Sequence, residues 1–345
     1  MAEEVWMLQT KKADFKQIGA RFRIDPVTAR IIRNRGIEGE AAIDRYLNGT
    51  LDDLYDPMLL KDMERAVSIL CEAVDTGKKI RIVGDYDIDG VCSTYILLQA
   101  FERLGSDVDF EIPDRIKDGY GINESIIEQA HADGVEVILT CDNGISAFHQ
   151  VELAKKYGMT VVITDHHEVP LDGEKEKIPP ADAVIDPKQA DCPYPFPEIC
   201  GAVVAYKLVQ VLYARRGVPQ MEWLDLLEFA AIATVGDVMK LQDENRIIVR
   251  WGLKQMPYTA SAGLRALVEA CGLDIFDLTA YHIGFVIGPC LNASGRLKTA
   301  QLALELLLCG EETSEGLLSA SGTQNGQGKM AVCMQQGHSR AEALA

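Results

Sequence analysis

The segment IRIVGDYDIDGVCSTYILLQAF, residues 80–101, gives the clearest indication of the fold. It begins with a short run of isoleucine and valine, which is typical of a buried strand, and it ends in a longer apolar run of helical length. Between the two runs, Asp85, Asp87 and Asp89 fall within five positions, directly before Gly90. Carboxylates this close together repel one another unless a positive group lies among them. The stretch therefore predicts a strand, an acidic turn and a helix, with cations bound at the turn.

The same alternation of strand and helix continues along the chain. Short apolar runs rich in valine and isoleucine are separated by amphipathic segments of helical length. The runs are KIRIVGD (79–85), DVDFEIP (107–113), VEVILTCD (135–142), MTVVITD (159–165) and ADAVIDP (181–187). This rhythm predicts an α/β fold with a parallel sheet and right-handed crossovers. Helical patterns before and after it predict a helical N-terminal segment and a helical C-terminal half.

Three regions are expected from these patterns. Residues 1–75 form a helical N-terminal segment, residues 76–310 form the main domain, and residues 311–345 form an irregular or truncated tail. The tail contains SASGTQNGQGK, residues 319–329, which has no large apolar residue. A segment of this composition cannot bury enough apolar surface to order itself.

Composition and charge narrow the class of protein. The chain has 345 residues and a formal net charge of −18, which argues against a broad surface for nucleic acid but allows a local site where metal ions supply the positive charge. Its nine cysteines show no zinc-binding spacing and are expected to be buried thiols in a reducing compartment. No apolar run has the length of a membrane span, and the first residues lack the pattern of a secretory signal. We expect a cytoplasmic protein with no membrane contact.

Acidic groups follow four of the predicted strands. In chain order they are Asp85, Asp87 and Asp89; Asp142; Asp165 with His166 and His167; and Asp186. Because the carboxyl ends of parallel strands meet at one edge of a sheet, these groups are expected to lie together. Asp237 joins them as a candidate, because it interrupts an otherwise apolar helical stretch. Any one of these aspartates could instead cap a helix or a turn, which is the commoner role of an aspartate after a strand.

Several carboxylates with one or two imidazoles suit hard to borderline divalent cations. Mg²⁺ and Mn²⁺ both fit, and the histidine favours Mn²⁺. A pair of such ions bridged by a carboxylate is a common arrangement for cleaving phosphate esters. The sequence therefore predicts a site for two divalent cations, Mn²⁺ or Mg²⁺.

Four motifs in this order resemble the DHH phosphoesterase superfamily: GDYDIDG (84–90), CDNG (141–144), TDHHE (164–168) and GDV (236–238). Longer motifs resemble the RecJ family of single-strand-specific 5′→3′ DNA exonucleases within it. They are IPDRIKDGYGIN (112–123), ATVGDVMKLQDENRIIV (233–249) and IGPCLNASGRL (287–297). The resemblance extends from about residue 56 to residue 309, so it implies that the main domain is a DHH phosphoesterase catalytic domain.

The resemblance also implies a role for each matching residue of the acidic set. Its metal ligands would be Asp87, Asp89, Asp142, His166 and Asp237. Asp142 would bridge the two ions. Asp85 would be a further catalytic acid beside the first metal or would position the water, Asp165 would orient its neighbours without touching metal, and His167 would face the scissile phosphate.

The resemblance further implies that four residues contact the phosphate or shape its binding site. From its position alone, between a predicted strand and a helix start, Arg115 could equally be a surface residue. Arg115 and Arg296 would clamp phosphate oxygens, and Arg296 would thereby act in catalysis. Asn292 and Gly295 would shape the segment that presents Arg296.

The sequence departs from the family pattern at three places. Many relatives have arginine at the position of Cys290, and other superfamily members have histidine at the position of Val83, whose metal role would pass to Asp85 or to water. RecJ proteins also continue well beyond this length, with further C-terminal domains that are not found here, so we expect a truncated or altered end.

The function implied by the resemblance is metal-dependent 5′→3′ hydrolysis of single-stranded DNA to 5′-mononucleotides, in DNA repair and recombination. Single-stranded DNA would be the partner, and other repair proteins would be further partners. Two alternatives stay open at this point. The same chemistry could act on short oligonucleotides or cyclic dinucleotides, or the chain could be an inactive truncated fragment.

Overall fold

A five-stranded parallel sheet forms the centre of the molecule. A computed structural model describes residues 11–113, 121–297 and 300–309, with the side chains of 294–297 excepted. The strands of the main sheet are β1 (Ile80–Val83), β2 (Val108–Glu111), β3 (Val137–Cys141), β4 (Thr160–Thr164) and β7 (Ala183–Ile185). The strands β5 (Leu171–Asp172) and β6 (Lys175–Glu176) form a separate small hairpin between β4 and β7. The order across the sheet is β2-β1-β3-β4-β7, and every neighbouring pair is parallel. The predicted α/β fold is confirmed, and each predicted run contains one of the five strands.

Helices surround the sheet and make up most of the remaining described chain. Before and between the strands they are α1 (Phe15–Phe22), α2 (Pro26–Asn34), α3 (Glu40–Asn48), α4 (Met63–Thr76), α5 (Ile88–Arg103), α6 (Glu124–Ala132) and α7 (Phe148–Lys156). After the last strand they are α8 (Gly201–Arg216), α9 (Gln220–Leu224), α10 (Leu227–Gly236), α11 (Asp243–Gln255), α12 (Ala262–Ala270), α13 (Ala280–His282), α14 (Gly288–Leu297) and α15 (Gln301–Leu308). Short 3₁₀ turns and one π-helical turn, Ile283–Ile287, connect them.

The sheet is covered on both faces. Ile82 and Leu139 belong to the larger core on one face, which also contains buried residues of α4, α5, α8 and α10. Val83 and Ile138 belong to the smaller core on the other face, together with α6 and α7. Because successive residues of a strand point to opposite faces, strands that are apolar throughout can fill both cores, as parallel sheets require.

The end of β1 and the start of α5 are packed too tightly for side chains at Gly84 and Gly90. A Cβ added at Gly84 would lie 2.1 Å from Thr94 Oγ1, and one added at Gly90 would lie 2.4 Å from the backbone oxygen of Asp85. The glycines therefore allow α5 to begin directly over the end of β1. This close approach fixes the loop that carries the first aspartates of the predicted site.

The N-terminal helices contribute to two different cores. Buried residues of α2 and α3, among them Ile32 and Ile43, form a small separate cluster, whereas α4 packs into the main core. Helix α4 ends at Thr76 and is capped by Gly77, whose φ of 66° lies in the left-handed region that favours glycine after a helix. In the described part of the chain, no helix combines the length and the apolar character needed to cross a membrane.

Candidate metal centre

The candidate site lies at the carboxyl edge of the sheet, where the chain order reverses. From β1 the chain passes to β2 on one side and then returns to β3 on the other side. Such a reversal leaves a crevice at the strand ends, which is the usual ligand position in open parallel sheets. Asp85 and Asp87 follow β1, Asp142 follows β3, and His166 follows β4.

All five predicted ligands meet at this edge. Three overlapping groups of side chains offer ligand atoms within 4.8 Å of one another: Asp85 with Asp87 and Asp142; Asp89 with His166 and Asp237; and Asp142 with His166 and His167. His166 lies at the centre, with its Nε2 3.0 Å from Asp142 Oδ1, 3.3 Å from Asp89 Oδ2 and 3.9 Å from Asp237 Oδ2. Asp142 is shared between two of the groups, which is the position that a bridging carboxylate requires.

Asp237 reaches the site from the end of a helix. The sequence suggested that it interrupts a helical stretch, but α10 ends at Gly236 and Asp237 is its C-terminal cap. The next residue, Val238, has a φ of 57°, so the chain turns away at this point. The Asp237 side chain is 30% exposed, whereas those of Asp89 and Asp142 are almost completely buried. Asp237 therefore lies on the open side of the site.

Asp87 combines a capping role with its place in the site. Its Oδ1 accepts hydrogen bonds from the backbone N–H groups of Asp89 and Gly90, so it caps the start of α5. Asp87 also belongs to the group with Asp85 and Asp142. The capping alternative and the proposed ligand role are thus compatible in one side chain, because a carboxylate has two oxygens.

Asp165 holds both histidines of the motif. Its Oδ1 accepts hydrogen bonds from the backbone N–H groups of His166 and His167 and lies 2.7 Å from His167 Nδ1, while its Oδ2 accepts from the N–H of Ile145. Burial disfavours the charged form of Asp165, but its contacts with His167 outweigh burial and lower the pKa of Asp165. The same contacts outweigh burial at His167 and raise the pKa of His167. This geometry fits the expected orienting role of Asp165.

The acids of the site are hard to ionise without a cation. Burial, followed by the charge of Asp87, raises the pKa of Asp85 to about 7, and burial with the charge of Asp89 raises the pKa of Asp237 to about 7. Burial also raises the pKa of Asp142 well above its usual range. Among the described residues, Asp85 Oδ2 is buried without a hydrogen-bond partner. Such a set of converging carboxylate oxygens and one imidazole fits Mn²⁺ or Mg²⁺.

The predicted phosphate contacts are only partly described by the structure. Asn292 lies on α14, and its Oδ1 accepts a hydrogen bond of 2.8 Å from the N–H of Ile88, the first residue of α5. Gly295 and Arg296 lie on the same helix, but their side-chain positions fall outside the described residues, as does Arg115 entirely. Asn292 therefore joins α14 to the loop of Asp87 and Asp89.

The two departures within the motifs have different surroundings. Val83 is the last residue of β1 and is fully buried, and its aliphatic side chain has no atom that could bind a metal. Asp85, two residues later, lies within the cluster of Asp87 and Asp142. Cys290 is buried on α14, with its Sγ 3.9 Å from that of Cys271.

The sequence predicts a helix from Gly201, but sequence reasoning missed the contact between the start of this helix and the site. The N–H groups of Gly201 and Ala202 donate to the two oxygens of Asp89, at 2.6 Å and 2.8 Å. Gly201 opens a helical pattern in the sequence. Nothing near it in the sequence indicates that its N–H donates to an aspartate 112 positions earlier. The contact exists only because α8 packs beside α5.

Comparison with known proteins identifies the class to which this fold and site belong. Residues 79–234 match the family model described as the DHH family, N-terminal domain. This segment of the chain therefore belongs to the DHH family, as its motifs predicted. The matched residues include Asp85 to Asp89, Asp142 and the Asp165-His166-His167 motif.

Within this family the chain is similar to RecJ exonucleases. It is 38% identical over 304 residues to the single-stranded-DNA-specific exonuclease RecJ of Bacillus subtilis (strain 168), a match that covers 88% of this chain and 37% of the relative. Its structure matches that of exonuclease RecJ bound to manganese with a TM-score of 0.68 and 33% identity, over 80% of this chain and 66% of the other. It matches RecJ in complex with Mn²⁺ from Thermus thermophilus with a TM-score of 0.74 and 29% identity, over 96% of this chain and 44% of the other. The chain thus spans well under half of the Bacillus subtilis protein.

Proposed function

We propose that this chain is the catalytic portion of a RecJ-type exonuclease, which hydrolyses single-stranded DNA from its 5′ end and releases 5′-mononucleotides. The observation that carries the proposal is the convergence of five side chains in overlapping groups that share Asp142 and His166. The five are Asp87, Asp89, Asp142, His166 and Asp237. The similarity to RecJ proteins whose structures contain Mn²⁺ supports the same reading. We assign residues 76–310 as the catalytic domain, because the family match and every described site residue lie within it.

The proposed site would hold two divalent cations, Mn²⁺ or Mg²⁺. When bound, such ions lower the pKa of a coordinated water and neutralise charge on the transferring phosphoryl group. The five residues named above would be the ligands, and Asp85 would lie beside them as an additional acid.

The remaining residues would position the DNA rather than the metal. His167, fixed by Asp165, is our candidate for the contact with the scissile phosphate. Arg115 and Arg296 are our candidates for clamping the phosphate oxygens, because a planar guanidinium matches their geometry. Asn292 and Gly295 would set the placement of Arg296 relative to the loop of Asp87.

The direct test is digestion of a 5′-labelled single-stranded oligonucleotide with Mn²⁺ present. The matched control is Asp142→Asn, which removes the shared charge with little change in shape, and a duplex of the same sequence tests strand selectivity. Release of labelled 5′-mononucleotide from the single strand alone, lost in the control variant and in EDTA, is the expected result. Cleavage of dinucleotides or cyclic dinucleotides but not of the long strand would contradict the proposed substrate, and no cleavage of any phosphodiester would contradict the proposed activity.

Two broader features belong to the proposal as well. We infer that the protein acts in the cytoplasm and that other DNA repair proteins are among its partners, as expected for an exonuclease of DNA repair and recombination. Cell fractionation with an antibody to this chain, followed by affinity purification before and after DNA damage, tests both features. Recovery in the membrane fraction, or purification with no repair protein, would contradict them.

A further inference from the structure

We propose that Gly201 is a positioning residue that sets the placement of Asp89 relative to Asp142. The inference rests on the proposed function, because it concerns how the same pair of metal sites is held. Gly201 contacts one carboxylate from each of two groups: it donates its N–H to Asp89, and its Cα faces Asp142. A single residue therefore lies between a ligand of one predicted ion and the predicted bridging ligand.

The first contact fixes the orientation of Asp89. Both of its oxygens are engaged, Oδ2 by the N–H of Gly201 and Oδ1 by the N–H of Ala202, so the carboxylate cannot rotate without breaking one bond. These N–H groups belong to the first turn of α8, where they have no partner within the helix. The positive end of the helix dipole also favours the negative charge of Asp89 in its buried position. The start of α8 thus anchors this ligand by two backbone hydrogen bonds.

The second contact, between Gly201 and Asp142, leaves no room for a side chain at position 201. A Cβ added at Gly201 would lie 2.7 Å from Asp142 Cβ and 3.0 Å from both its Cα and its Oδ1. Two of these three atoms, Cα and Cβ, lie at the root of the side chain, so rotating the carboxylate cannot relieve the clash. Ordinary contact begins near 3.4 Å, so the two segments would have to separate by about 0.7 Å.

Asp142 has little freedom to accommodate such a shift. Its φ of 60° places it in the left-handed region, which is unusual for an aspartate, and its N–H donates to the backbone oxygen of Thr164 at 3.1 Å. Asp142 is therefore held by β4 on one side and limited by α8 on the other. Movement of α8 away from Asp142 would carry the N–H groups of Gly201 and Ala202 away from Asp89. Either response alters the distance between the two ligands.

An alternative explanation is that Gly201 only allows close packing, as several buried glycines do in this fold. Gly252 on α11 offers a matched comparison. A Cβ added there would lie 2.3 Å from Ala231 Cβ, and its three nearest neighbours, Ala231, Leu227 and Glu228, are not residues of the candidate site. Alanine at Gly252 therefore tests the cost of a buried clash that does not directly contact a metal ligand.

The experiment measures Mn²⁺ binding by calorimetry and urea unfolding for the wild type, Gly201→Ala and Gly252→Ala. We expect Gly201→Ala to lower Mn²⁺ affinity at least tenfold, and Gly252→Ala to be destabilised while its Mn²⁺ affinity stays within twofold of the wild type. Unchanged Mn²⁺ affinity in Gly201→Ala, or an equal loss in both variants, would overturn the inference.

A second variant keeps the test decisive if Gly201→Ala does not fold. Ala202→Pro removes one of the two N–H donors to Asp89 at a first-turn position, where proline is compatible with a helix. It is expected to weaken Mn²⁺ binding while the helical circular dichroism signal is retained, and full Mn²⁺ affinity would overturn the inference. Nuclease activity is measured separately on the same samples. A wild type that binds Mn²⁺ but cleaves no DNA refutes the proposed function alone, whereas an active wild type with an unaffected Gly201→Ala refutes the positioning role alone.

Discussion

Replacing Asp85 by asparagine should change how the stability of the metal-free protein depends on pH. Asp85 is 1% exposed, and burial with the charge of Asp87 raises its pKa from 3.8 to about 7. The folded state therefore binds this proton more tightly than the unfolded state does. Stability from this group is fully present below about pH 4, and it is lost as the pH rises through 7. A shift of about three pKa units corresponds to about 4 kcal/mol in total, of which about 3 kcal/mol falls between pH 5 and pH 8.

The assay is urea unfolding in EDTA at pH 5 and pH 8. Other buried acids also titrate in this range, so the informative quantity is the difference between the wild type and Asp85→Asn. The wild type should lose about 3 kcal/mol more than the variant between the two pH values, because asparagine does not ionise. An equal loss in both proteins would show that Asp85 does not titrate in this range.

Asp186→Asn and added Mn²⁺ provide the controls for this prediction. Burial raises the pKa of Asp186 to about 7 as well, but Asp186 is not in the cluster of candidate ligands. Saturating Mn²⁺ should remove the contribution of Asp85, because a nearby cation favours the carboxylate, and the difference between the wild type and Asp85→Asn should then shrink. A difference that persists unchanged in Mn²⁺ would show that no cation binds near Asp85.

Three other perturbations have definite expected outcomes. Saturating Mn²⁺ should raise the melting temperature, since each ion at one hundred times its dissociation constant adds about 2.7 kcal/mol, and EDTA should reverse the shift in a thermal scan. Lys207→Met should cost about 3–5 kcal/mol in urea unfolding, because it leaves Glu244 buried without the ammonium group 3.1 Å away, and Lys207→Met combined with Glu244→Gln should recover much of that loss. Asn292→Ala should cost about 1–3 kcal/mol, because the buried N–H of Ile88 loses its acceptor, and it should lower kcat/KM on single-stranded DNA more than it lowers Mn²⁺ affinity. A variant that is fully active and as stable as the wild type would contradict the role given to Asn292.

The strands and their acidic ends could be predicted from the sequence because both signals are local. A run such as VILTC has the composition of a buried strand, and the position of Asp142 directly after it fixes the edge at which the carboxylate lies. The hairpin of β5 and β6 gave no such signal, because its strands are two residues long and lie in the polar segment LDGEKE, residues 171–176. Sequence periodicity is informative only over longer segments.

The supporting contacts of the site could not be predicted, because they depend on tertiary packing. The hydrogen bonds from Gly201 to Asp89 and from Ile88 to Asn292 join residues separated by 112 and 204 positions. Neither pair has a pattern that distinguishes it from an ordinary helix start or a polar helix residue. The end of α10 at Gly236 could not be predicted either, because apolar residues lie on both sides of Asp237 in the sequence. The residue types did indicate a metal site, because an Asp-His-His run is uncommon outside such sites when several acids also converge on it.

The most direct test of the central claim is anomalous diffraction from crystals grown with Mn²⁺. We expect two anomalous peaks about 3.5–4 Å apart at the carboxyl edge of the sheet, with Asp142 contacting both. One peak should be near Asp87, and the other should be near Asp89, His166 and Asp237. A single peak, or peaks away from Asp142, would contradict the two-ion site on which the proposed exonuclease activity depends.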